Sequence, residues 1–328
     1  MKLPSISAQI NEDIIFKIIN KNFSKIAPSL YKLITSWLTR SYNVFNDIDK
    51  YIILIYFINK DLIFYRKNGL IIDYDTFYQD KSIEIPKINI SDISKDLKIP
   101  KESVRRKLQE LEKANIIEKN GKKIFVDTNA IIAAKPEQTL KELSSLIQKL
   151  NEVLTEEKIT TKVLDTNKIS QSIKSNFSFC WYQFYKFFFI YTNRWRDYIP
   201  DLVSVAIGFH VLLNTVENDK FRVKDLNRKS WAVHTQGVDL IGVNAMSLSE
   251  ITGVPRPTVV RKLQYLVKHN WLHVNENKLY TLNIVGSTLT SADKMQLENI
   301  KDLSKFLHRL FNQINIFDKN QNNDDSYK

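Results

Sequence analysis

Arg106, Gln109 and Lys113 fall at spacings of three and four, and so do Arg261, Gln264 and Lys268. On a helix that spacing aligns the three side chains along one face. An arginine fork can pair bidentately with guanine, and a glutamine amide with adenine, in a major groove. Lys101, Lys107, Arg256 and Lys262 lie on the flanks of the same segments, where a cation suits a phosphate, and Arg105 adds a further fork. Ser103 and Thr258 come early in these segments, where a hydroxyl can donate to a phosphate near a helix N-terminus. Lys119, Lys122 and Lys123 follow in a short basic run that suits the neighbouring backbone or minor groove of a duplex.

Other chemistry finds little support in the residues. The glycines are scattered singly, so no phosphate-cradling loop is read. His269 and His273 are four apart, but a helix is expected to end between them and no further ligand follows nearby. Cys180 sits in FSFCWYQF, an apolar setting that predicts a core thiol. Trp181, Tyr182, Trp195 and Tyr198 are read as core packing rather than the lining of an effector pocket. No Ser/His/Asp or paired-carboxylate pattern stands out. The expectation is therefore a binding protein and not an enzyme, with no cofactor and no metal site.

The two basic segments are one sequence written twice. Residues 99–126 and 254–281 align without a gap at an offset of 155, with 11 of 28 positions identical, too many for chance. Weaker matches extend the repeat. KNFS at 21–24 answers SNFS at 175–178, and LKELSSLIQKLNEVL at 140–154 resembles LENIKDLSKFLHRLF at 297–311. The expected domains are 15–158 and 169–315, joined by the connector 159–168 and followed by a polar tail, 316–328, read as disordered. Whatever one copy binds, the chain is expected to bind twice.

Each unit reads as an aromatic-rich helix (about 25–42 and 177–193), a buried helix (about 47–65 and 200–217), and a long irregular stretch (66–89 and 218–244). A short helix follows at 90–97 and 246–252, with Ser91 and Ser247 as candidate N-caps. After a tight turn, Val104, Leu108, Leu111 and Val259, Leu263, Leu266 recur with the period of a helix. Asn120-Gly121 then predicts a hairpin turn, with Asn275-Glu276-Asn277 in its place in the second copy. A leucine-rich helix closes each unit. Its stripes, Leu140, Leu143, Leu146, Leu150 and Leu297, Ile300, Leu303, Leu307, are expected to hold the halves together or to join two chains.

Short helix, turn, second helix, two-stranded hairpin: the order resembles the winged helix–turn–helix of bacterial regulators of the GntR, Crp and MarR kinds. GVPRPTVVRKLQYLVKHNWL (253–272) and KIPKESVRRKLQELEKANII (98–117) carry the resemblance, over roughly 40 residues per copy. The hairpin 116–126 lacks the Asp-x-Arg of MarR wings, and no cyclic-nucleotide β-roll pattern precedes either copy. The resemblance implies an α+β, predominantly helical fold: two tandem winged-helix units forming a pseudo-symmetric single-chain dimer. It implies sequence-specific binding of double-stranded DNA by a transcriptional regulator. A plasmid-type replication initiator with tandem winged helices, or a winged-helix protein of chromosome segregation, are the alternative expectations.

Composition agrees with that partner. The chain has 328 residues and a net charge of +12, which points to an anion. Lysine dominates the cations, so the 11 arginines are the sharper signal, and four of them fall in the two basic segments. A single cysteine excludes a disulfide framework and suggests a reducing compartment. The start, MKLPSISAQINEDIIFK, has no apolar signal region, and YIILIYFI and FYKFFFIY are too short to span a bilayer. A cytoplasmic, nucleoid-associated protein is expected.

Overall fold

The structure, a computed structural model, describes residues 9–79, 83–85, 89–121, 123–218, 225–237, 242–283 and 285–324. Lys122 therefore lies outside the described residues. The first half runs α1 (Glu12–Lys21), α2 (Phe23–Phe45), α3 (Ile48–Lys67), α4 (Tyr74–Tyr78), β1 (Ile83–Ile85), α5 (Ile90–Leu97) and α6 (Lys101–Lys113). It continues with β2 (Ile117–Asn120), β3 (Lys123–Val126), α7 (Thr128–Ala133) and α8 (Glu137–Glu156). The second half runs α9 (Thr166–Ser175), α10 (Phe177–Arg196), α11 (Leu202–Glu217), α12 (Arg228–Gly237), α13 (Ala245–Thr252) and α14 (Arg256–Lys268). It closes with β4 (Leu272–Val274), β5 (Tyr280–Leu282) and α15 (Gly286–Asp324). The described chain is predominantly helical, with small antiparallel sheets of order β1-β3-β2 and β4-β5.

Several helices recur at the offset of the sequence repeat. Helices α9, α10 and α11 start 154 residues after α1, α2 and α3, and α13 and α14 start and end 155 after α5 and α6. The long irregular stretches differ. The first holds α4 and β1, and β1 pairs with β3 through Ile83–Val126, Glu84–Phe125 and Ile85–Ile124. In the second, α12 forms, and Val243 makes an isolated bridge to Tyr280.

Contacts divide the chain into two compact units that do not follow the repeat halves 15–158 and 169–315. One is Met1–Thr39, Gln138–Ser172 and Val203–Lys328; the other is Arg40–Glu137 and Ile173–Leu202. The exchange is reciprocal. Helix α10, from the second half, lies in the unit of α3, α5 and α6, while α2 as far as Thr39 lies with α11, α13 and α14. The two exchanged helices are equivalents in the repeat.

In the unit containing α3, burial explains the exchange. Residues 51–58 of α3 are buried all round the helix, so α3 needs partners on several sides. Helix α10 supplies an aromatic ladder, in which Trp181 stacks between Phe177 (5.1 Å) and Phe184 (4.7 Å), and Phe184 meets Phe188 at 4.5 Å. Each such ring fully buried contributes about 1.5–3 kcal/mol. Tyr182, half-exposed, lies beneath the Arg66 guanidinium. Cys180 is buried in the same helix, and burial pushes its thiol up to about 12, so it keeps its proton.

In the other unit, α2 plays the matching part. Tyr31 stacks on Trp231 of α12 at 5.8 Å and meets Phe209 of α11 at 5.9 Å. Helix α1 packs against α15, and Asn312 closes their junction by accepting from Ile10 N (3.0 Å) and donating to Ile10 O (2.7 Å).

Three expectations are revised. The caps are Asn89 and Asn244, not Ser91 and Ser247; Asn244 accepts from Ser247 N at 2.9 Å, because a cap side chain must reach back from one residue before the first turn. The expectation for the stripes on α8 and α15 narrows to the role within the chain: both helices lie in one unit built from segments of both halves. Leu140, Leu143, Leu146, Leu150, Ile300, Leu303 and Leu307 are all buried within one chain and one unit. Lastly, α15 runs to Asp324, through much of the stretch read as a tail; its apolar spacing continues through buried Leu310, Phe311 and Ile314.

Candidate nucleic-acid interface

Each candidate face begins at a left-handed turn. Helix α5 ends at Lys98 (φ 49°) and α13 at Gly253 (φ 71°), both in the left-handed region that stops a helix. Ile99 and Val254, next in line, are buried and anchor the turn. Pro100 and Pro255 then set φ at −54° and −53° and open α6 and α14. Val104 and Val259 close the first turns, donating to the carbonyls of Pro100 and Pro255 at 2.9 and 3.0 Å.

The buried sides are Val104, Leu108, Leu111 and Val259, Leu263, Leu266, as the periodicity predicts. That burial leaves Lys101, Arg105, Arg106, Gln109 and Lys113 exposed on α6, and Arg256, Arg261, Gln264 and Lys268 exposed on α14. Ser103, Thr258 and Lys262 are half-exposed. Both helices end at asparagines in the left-handed region, Asn115 (φ 55°) and Asn270 (φ 59°), and turn into their hairpins. The first hairpin pairs Asn120 with Lys123, so Asn120 belongs to the strand and Gly121 (φ 57°) begins the loop. The second is closed by Asn275, whose side chain accepts from Leu279 N at 2.9 Å.

Lys107 is a correction. Its sequence position suggested an exposed flank, but it is buried and ion-paired with Asp47, with Asp49 3.7 Å away. Asp49 in turn pairs with Arg196 of α10. The end of α10 also holds the turn of the first copy: Asn193 donates to the Asp96 carbonyl (2.7 Å), and Lys98 donates to Asp197 (2.6 and 2.7 Å). A segment of the second half thus positions the face of the first copy.

Acids surround α6 and pair with its cations. Arg105 donates to both oxygens of Glu102 (2.7 and 2.8 Å), and Arg106 lies 3.8 Å from Glu110. Lys119 pairs with Glu112 (2.8 Å), and Lys123 with Glu84 (2.5 Å). The Lys50 ammonium, hydrogen-bonded to Glu110, holds that carboxyl below its usual range, helped by Lys107 and Arg106. The Glu102–Arg105 and Arg106–Glu110 pairs are legible as i,i+3 and i,i+4 spacings. The Asp47, Asp49 and Glu84 contacts are not, because only packing brings them near.

No helix among the described residues is long and apolar enough to cross a membrane. Among the described residues, no group of three or more His, Cys, Asp and Glu side chains could hold a metal ion. Comparison with family models, with curated proteins and with solved structures gives no match.

Proposed function

We propose that this chain binds double-stranded DNA in a sequence-specific way, through two copies of a winged helix–turn–helix, and acts as a transcriptional regulator. One observation carries the reading: at matched positions of two equivalent helices, Arg106/Arg261, Gln109/Gln264 and Lys113/Lys268 stand exposed on the face opposite the core. Exposed positions have no packing reason to stay alike after duplication, so their agreement points to a shared ligand. Arginine and glutamine are the side chains that read guanine and adenine edges. Lys101, Arg105, Arg256 and Lys262 suit the flanking phosphates, with the Ser103 and Thr258 hydroxyls at the helix starts. Lys123 of the first hairpin is exposed and suits the neighbouring duplex backbone.

The test is selection of bound sequences from a random duplex pool, followed by titration at several salt concentrations. A repeated motif should be enriched, and Arg261→Ala should relax preference at one base position by about 1–3 kcal/mol. Absence of duplex binding by the wild-type chain at low salt would overturn the reading.

A further inference from the structure

The two faces share four cations, Arg105 alone being replaced by an apolar residue, Val260, but they do not share their acids. Helix α6 carries Lys101, Arg105, Arg106, Lys107 and Lys113 against three acids, Glu102, Glu110 and Glu112. Helix α14 keeps Arg256, Arg261, Lys262 and Lys268 and has no acid at all. At the repeat offset, Glu102, Glu110 and Glu112 are replaced by Pro257, Tyr265 and Val267. Each acid of α6 itself therefore has an uncharged counterpart.

Geometry follows the sequence. The Arg105 fork is already filled by Glu102, Arg106 has Glu110 nearby, and Lys107 is buried in its ion pairs. Arg256, Arg261 and Lys268 are exposed and, among the described residues, make no ion pair. An arginine that must leave a carboxylate to meet a phosphate gains less than one that leaves only water. The carboxylate left behind also repels the phosphate. Fewer net counterions are released, so the dependence on salt is shallower.

Building on the duplex-binding reading above, we propose that the copies divide the work: α14 is the high-affinity contact to the DNA, and α6 is a charge-compensated second contact. Loss of cations from α14 then removes most of the affinity, and loss from α6 removes little.

The experiment titrates a labelled mixed-sequence duplex with the full-length chain over a range of salt. Arg256→Ala with Arg261→Ala should lower affinity at least ten-fold and flatten the salt slope by about two. Arg105→Ala with Arg106→Ala should lower affinity less than three-fold. Glu102→Gln, at an exposed site where folding is not at stake, should raise affinity and steepen the slope. Equal losses from the two arginine pairs, with wild-type binding intact, would overturn the division of work and leave duplex binding standing. Failure of the wild-type chain to bind any duplex at low salt would overturn both.

Discussion

Lys107 and Asp47 form an ion pair in which the lysine side chain is 8% exposed and the aspartate 26%. Asp47 also caps α3, accepting from Asp49 N (2.9 Å) and Lys50 N (3.2 Å). One carboxylate thus starts a core helix and fixes the back of α6. Asp47→Ala loses both functions and should cost about 2–4 kcal/mol, whereas Lys107→Met, which keeps the cap, should cost about 1–3 kcal/mol. Urea unfolding of both variants checks the order; equal costs would mean that the cap contributes nothing here.

Exchange of α2 and α10 between the compact units has a consequence for fragments. Residues 1–158 alone lack α10, and residues 169–328 alone lack α2, so each leaves an apolar helix without its partner. Each fragment, expressed alone, is expected to show weak, non-cooperative melting by circular dichroism. Mixing the two should restore one cooperative transition and co-elution on a sizing column. A fragment that melts cooperatively by itself would contradict this account of the core.

The turn residues Gly253 and Lys98 occupy equivalent left-handed positions, with φ of 71° and 49°. A Cβ is disfavoured there. Gly253→Ala should destabilise by about 1 kcal/mol. Lys98→Gly should relieve that strain but lose an exposed ion pair to Asp197, and so change stability by less than about 0.5 kcal/mol. Thermal melts of the two variants should therefore diverge.

His210 Nε2 of α11 is hydrogen-bonded to Thr39 Oγ1 at 2.8 Å, and burial pushes its imidazole down from 6.5 to about 4. The unfolded chain takes up the proton first. The stability due to the neutral ring is therefore whole above pH 6.5, falls as pH drops toward about 4, and levels off below. Across that window the wild type should lose about 1–3 kcal/mol more than His210→Gln, which cannot titrate. Parallel pH profiles for the two proteins would argue against a buried neutral histidine.

The local grammar of the chain was legible without coordinates. Periodic leucines and valines placed the buried sides of α6 and α14, because a helix repeats every 3.6 residues whatever surrounds it. Pro100, Pro255 and the residues before them marked the turns, and the duplication tied the two copies together. The same geometry left Arg106, Gln109, Arg261 and Gln264 on the outer faces. What could not be read was which cations are free. Lys107 is buried because α3 and its cap bring Asp47 and Asp49 beneath it, which nothing in the local sequence of α6 shows. The exchange of α2 and α10 was hidden for the same reason. Helical periodicity fixes which side of an aromatic helix is apolar, and only the tertiary structure decides which half of the chain covers it.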